Sequence, residues 1–164
     1  MPVPARWCAT NRVVAMAVNA DFVGRTYPPS GPYAVTAEGL AAFASAVGST
    51  DPVHTSSEAA RAAGYADVIA PPTFAVTIAQ QCDAVFVQDP EAGIDYSRVV
   101  HGEQRFVHHR PITAGDEVLG TLTVDSVRAA AGMDMVATRT EVTSTSGEHV
   151  ATAFALLLHR GGDA

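Results

Sequence analysis

Residues 43–74 read FASAVGSTDPVHTSSEAARAAGYADVIAPPTF, and the rest of the chain is organised around them. Phe43, Ala44 and Val47 continue a helical spacing begun at Leu40, and Gly48 can end that helix. Thr36 before it is a capping residue, and Glu38 sits where the helix dipole favours a carboxylate. Asp51-Pro52 then reads as a turn. Thr55 and Glu58 stand three apart, as in a capping box, and predict a second short helix that stops at Gly64. Ala70-Pro71-Pro72 is a rigid loop. Beyond it Phe74, Ile78, Cys82 and Val85/Phe86 mark a third, more apolar helix ending before a loop at Gln88–Asp95.

Upstream, Asp21 to Pro32 is turn-rich, with a short first strand expected around Tyr33–Val35. Residues 1–15 lack any periodicity and are expected to form a loose arm, with residues 16–164 as the domain. Downstream the period changes. Arg98–His109, Glu117–Ala129, Met133–Ser144 and His149–Arg160 are rich in Val, Thr, Phe or Leu, and turn residues separate them. Four long strands after an apolar helix predict an α+β fold, an antiparallel sheet wrapped around that helix.

Composition narrows the function. The 164 residues carry a net charge of −7 and are 48% hydrophobic, which fits one globular domain and lacks the basic footprint that nucleic acid requires. All ten cationic side chains are arginine. Without lysine there is no Schiff-base or P-loop lysine. Cys8 and Cys82 have no metal-ligand spacing and suit a reducing compartment. No run approaches a membrane span, so a soluble cytoplasmic protein is expected.

Four pieces, in order, resemble one family. They are Gly48-x-x-Asp51-Pro52-x-His54, Ala59-Ala60-Arg61-Ala62-Ala63-Gly64-Tyr65, Ile69-Ala70-Pro71-Pro72-Thr73-Phe74 and Arg110-Pro111-Ile112-Thr113-Ala114-Gly115-Asp116. Across roughly residues 21–160 the chain resembles MaoC-like (R)-hydratase/dehydratases. It is most similar to the N-terminal-MaoC dehydratase group, which includes substrate-binding subunits of (3R)-hydroxyacyl-ACP dehydratases. The resemblance implies a single hot-dog fold. It also implies reversible loss of water from a (3R)-3-hydroxyacyl thioester in fatty-acid or long-chain lipid synthesis, with no cofactor or metal. One group takes the C2 proton and returns a proton to the leaving hydroxyl, while a donor stabilises the enolate oxygen.

In catalytic members a histidine and an aspartate five residues before it share the acid/base work, and a backbone N–H at the start of the central helix serves the oxyanion. The histidine position here is His54, but Ser49 stands where the aspartate would be, and a serine hydroxyl is no carboxylate. Asp51 occupies the place of the family's asparagine. Pro72 replaces the glycine whose N–H is used, and proline has none to give. The N–H of Thr73 is the available substitute. The resemblance therefore implies an acyl-binding subunit. Its ligand is an acyl-ACP or acyl-CoA thioester, and it works as a heterodimer with a catalytic MaoC-like chain or as a homodimer. Pro72, Thr73, Phe74, Ala75, Ile78 and Ala79 are the expected substrate-binding residues.

Two other readings stay open: a self-sufficient hydratase using His54 with Asp51, and a non-enzymatic thioester-binding protein. Each residue also has a plainer role. His54 can be a packed loop histidine, Asp51 can bond its own backbone, and the third helix can simply be core. Asp83 reads as a surface carboxylate. His108 and His109, adjacent on a strand, point to opposite faces and cannot chelate together.

Overall fold

A computed structural model describes residues 18–130 and 132–160; the expected arm at 1–15 lies outside them, as do Met16 and Cys8. Five strands form one antiparallel sheet in the order β1-β3-β4-β5-β2: β1 (Ser30–Ala34), β2 (Val99–His108), β3 (Glu117–Ala130), β4 (Met133–Ser144) and β5 (His149–Arg160). Among the described residues three α-helices precede the long strands: α1 (Ala37–Ala46), α2 (Ser57–Ala62) and α3 (Val76–Val87). The four long strands fall within a residue of the expected bounds. β1 begins earlier than expected because Ser30 already pairs with Gly120.

Strict alternation of buried and half-buried residues along β4 shows a sheet with one face packed. That inner face receives α3, which lies over β3, β4 and β1. Ile78, Ala79, Cys82 and Phe86 recur at helical spacing and are all buried. One apolar cluster surrounds Phe86, with Phe22, Tyr27, Leu122 and Val136 against it. A second joins Leu40 of α1 to Ile78, Ile112, Val118 and Val142. Gly120 of β3 lets the helix approach: a Cβ there would overlap the Cys82 sulfur and come within 3.1 Å of an Ile78 methyl.

Helix starts follow hydroxyl caps. Thr36 accepts from the Gly39 N–H at 3.0 Å, as expected. The second helix differs by one residue: Ser56, not Thr55, is the cap, accepting from the Ala59 N–H at 3.2 Å. The Thr55 hydroxyl turns back toward the Pro52 carbonyl instead. Gly48 and Gly64 both take positive φ just past α1 and α2, as glycine stops do. Val47 and Val85, read as part of the apolar pattern, are exposed: Val47 is the residue that caps the end of α1, and Val85 lies off the buried face of α3.

The Arg110–Asp116 motif is a staple between strands. Arg110 grips Asp116 through two hydrogen bonds of 2.7 and 3.1 Å and also reaches Glu148 at 2.9 Å, while Asp116 accepts the Thr113 N–H. Bridging Ile69 to Thr113 then ties the Ala70-Pro71-Pro72 loop to this turn.

Candidate functional site

His54 ends a short 3₁₀ turn, Pro52–His54, opened by Asp51. The Asp51 carboxylate accepts the Val53 N–H at 3.1 Å and is otherwise exposed. It caps its own backbone, and among the described residues no carboxylate is hydrogen-bonded to His54. The imidazole is 7% exposed, and its Nδ1 lies 2.8 Å from the Ile69 carbonyl oxygen. A carbonyl only accepts, so the neutral ring keeps its proton on Nδ1 and its lone pair on Nε2. Nε2 meets no partner among the described residues. Ser49 is half-buried, its N–H bound to the Ala44 carbonyl at 2.8 Å.

Ile69 connects His54 to the second component. Its own N–H bonds the Val53 carbonyl at 3.2 Å, and the Ala70 N–H bonds Ile112 at 2.8 Å. The loop is thus pinned on both sides before Pro71–Ala75 turns into α3. In that turn Phe74 donates to the Pro71 carbonyl at 2.9 Å, and Val76 to Thr73 at 3.0 Å. The N–H of Thr73 meets no acceptor among the described residues, and the residue is exposed.

His108, weighed in the sequence only as half of a metal pair, supplies the third component. Its Nε2–H donates to the Pro72 carbonyl at 2.8 Å. Pro72 C=O and Thr73 N–H belong to one planar trans peptide, so they point in opposite directions. By fixing the carbonyl, His108 fixes where the free N–H aims. His109 lies beside His149, ring centroids 4.1 Å apart and planes tilted by 36°. A cavity of about 340 Å³ opens here, lined by Ile69, Pro71, Pro72, His108, His109 and Arg110.

The sequence-selected residues therefore divide. His54 is tied to the Ile69 carbonyl, at the start of the loop that carries Pro72 and Thr73. Phe74 is half-buried against Phe43, edge to face at 5.3 Å. Ala75, Ile78 and Ala79 are buried at 0%, 2% and 2% exposure on the sheet side of α3. Among the described residues there is no group of three or more His, Cys, Asp or Glu placed to hold a metal. No described helix is long and apolar enough to cross a membrane.

Asp83 overturns its surface reading: it is buried, 5% exposed, on the face of α3 that meets the sheet. Thr138 of β4 donates to Oδ1 at 2.9 Å, and Oδ2 has no donor among the described residues. Burial raises the carboxyl to about 6, partly offset by the Thr138 hydrogen bond and by the charge of His101.

Three kinds of comparison bear on this arrangement. Residues 21–153 match the family model described as FAS1-like, dehydratase domain region. A UPF0336 protein of Streptomyces avermitilis is 51% identical over 148 residues, covering 90% of this chain and 99% of its own. Another from Saccharopolyspora erythraea is 49% identical, covering 89% and 94%. Among solved structures, the C-terminally truncated HadBC (3R-hydroxyacyl-ACP dehydratase) complex of Mycobacterium tuberculosis superposes with TM-score 0.75 at 34% identity, over 84% of this chain and 97% of the matched one. A MaoC-like dehydratase superposes with TM-score 0.78 at 32% identity, over 85% of this chain and 42% of its own. The curled sheet around α3 is the hot-dog fold.

Proposed function

Given that the chain belongs to the FAS1-like dehydratase domain region family, we propose that it is the acyl-binding half of a (3R)-3-hydroxyacyl-thioester dehydratase, with a second MaoC-like chain supplying the Asp/His pair. The observation that carries this reading is the chemistry around His54. Its Nδ1 is held by a backbone carbonyl, Asp51 is engaged with its own turn, and Ser49 stands where a carboxylate would be needed. Dehydration needs one group to remove the C2 proton and a proton for the departing hydroxyl, which leaves as water. An imidazole without a carboxylate behind it is a weaker and less well-oriented base.

The Pro72–Thr73 turn supports a binding role. A thioester oxygen placed there would meet the Thr73 N–H, the first unclaimed donor before α3. That the matched mycobacterial structure is a complex agrees with a paired arrangement. The carrier in this reading is either ACP or CoA, and the setting is cytoplasmic. Coexpression with a MaoC-like chain carrying the full Asp-x₄-His spacing is expected to yield a stable one-to-one heterodimer. Purification of this chain as an active homodimer in the partner's absence would contradict the proposal.

One feature favours a second reading, a self-sufficient hydratase. The free lone pair on His54 Nε2 is that of a competent base, and turnover by the chain alone that disappears in His54→Ala would establish it.

A further inference from the structure

His108 and His109 cannot chelate together, because neighbours on a strand face apart. The fold gives His109 a different partner forty residues on. The His109 N–H bonds the Val150 carbonyl at 2.9 Å, which sets it against the start of β5, where His149 pairs with Thr143 of β4. Both backbones are thus held by the sheet, and both residues are exposed. Their ring centroids stand 4.1 Å apart, with the planes tilted by 36°. The Thr152 hydroxyl lies 3.0 Å from His149 Nε2, and neither ring makes any other hydrogen bond among the described residues.

We propose that His109 and His149 form a two-histidine site for a divalent transition-metal ion such as Zn²⁺, with Thr152 orienting His149 and water completing the coordination. Imidazole is a ligand that suits these ions, whereas magnesium and calcium take oxygen. Two nitrogens bound to one tetrahedral Zn²⁺ stand about 3.3 Å apart. Exposed rings already 4.1 Å apart between centres reach that spacing by turning about their own side-chain bonds. Thr152 supplies the support that a metal-bound histidine needs on its far side. With Nε2–H donating to the hydroxyl, the lone pair of His149 sits on Nδ1. The charge beside the pair also suits a cation. Arg110, next to His109, faces the carboxylates of Asp116 and Glu148, and Glu148 is next to His149, so this cluster keeps one negative charge uncompensated. Dehydration of a 3-hydroxy thioester needs no metal. The site is therefore independent of the function proposed above, although His109 also lines the cavity beside Pro72.

The probe is Zn²⁺, titrated into the full chain by calorimetry, with Mg²⁺ as the oxygen-seeking control. Zn²⁺ should bind and Mg²⁺ should not. His109→Asn and His149→Asn each remove a ligand at an exposed position that the core does not depend on, and each should weaken zinc binding by more than about ten-fold. Thr152→Val keeps the side-chain shape without the hydroxyl and should weaken it by about ten-fold, as loss of a histidine's supporting hydrogen bond does. His101→Asn, an exposed histidine elsewhere on β2, should leave the affinity unchanged. In NMR spectra of the native chain, zinc should move the imidazole signals of His109 and His149 together. No zinc binding by the native chain, affinity unchanged in any of the His109, His149 or Thr152 variants, or imidazole shifts confined to one of the two rings would each overturn the proposal.

Discussion

Asp83→Asn is expected to flatten the dependence of folding stability on pH between about 4 and 8, removing a loss of roughly 3 kcal/mol that the native carboxyl suffers across that range. The folded carboxyl is raised to about 6 from an ordinary 3.8, chiefly by burial. Below the ordinary value both folded and unfolded chains hold the proton, and Asp83 costs nothing. As pH rises, the unfolded chain releases its proton first, and the folded one then gives it up into a buried site. Stability contributed by the neutral carboxyl is therefore present at low pH and lost through about 6. Asp67 and Asp95 are shifted the opposite way, mainly by hydrogen bonds from Ser57 and Ser97, so their stabilisation disappears only on acidification. Urea melts of both proteins at several pH values read the difference directly. Parallel curves for native and Asp83→Asn chains would show that the buried carboxyl does not titrate as described.

The second large effect is steric. Gly120→Ala is expected to destabilise the fold by about 1–3 kcal/mol, since the added methyl enters space already filled by the Cys82 sulfur and an Ile78 methyl. Cys82 is 1% exposed and sits at the centre of the seam between α3 and β3, so it cannot swing aside. Cys82→Ala alone leaves a small void. The double variant lets the two errors cancel in part, and should be more stable than the sum of the single losses predicts. Chemical denaturation of all four proteins gives the coupling. Additive losses would mean that the helix, rather than the sulfur, sets the fit at Gly120.

These two residues also mark what the chain's letters made legible. The long strands could be read because Val- and Thr-rich runs alternate between turn residues, and their ends held to within a residue. Thr36 was readable as a cap because it stands alone before its helix. Thr55 and Ser56 are neighbours with equal chemistry, and only the backbone decides which one turns inward. Asp83 was misread as a surface group through its residue type, though its position carried a signal. It follows Ala79 by four residues and precedes Phe86 by three, both buried, so helical geometry places it on the packed face.

The site divides along the same line. The departures at Ser49 and Pro72 were visible as letters, because the proposed chemistry demands a carboxylate and an N–H at those places. The clasp between His108 and the Pro72 carbonyl was not. It joins residues 36 apart through the pairing of β2 with the sheet and the bridge from Ile69 to Thr113, and nothing local to either residue announces it. The same holds for the His54 ring, whose tautomer depends on a carbonyl fifteen residues away.

The most direct test of the two-chain account is hydration of a trans-2-enoyl thioester, followed by loss of the conjugated enoyl absorbance. The purified chain is assayed alone, its catalytic MaoC-like partner alone, and the two together. The account predicts that this chain is silent by itself and that the mixture exceeds the partner's own rate. Turnover by this chain alone, abolished in His54→Ala, would contradict it and make His54 a base that works without a carboxylate.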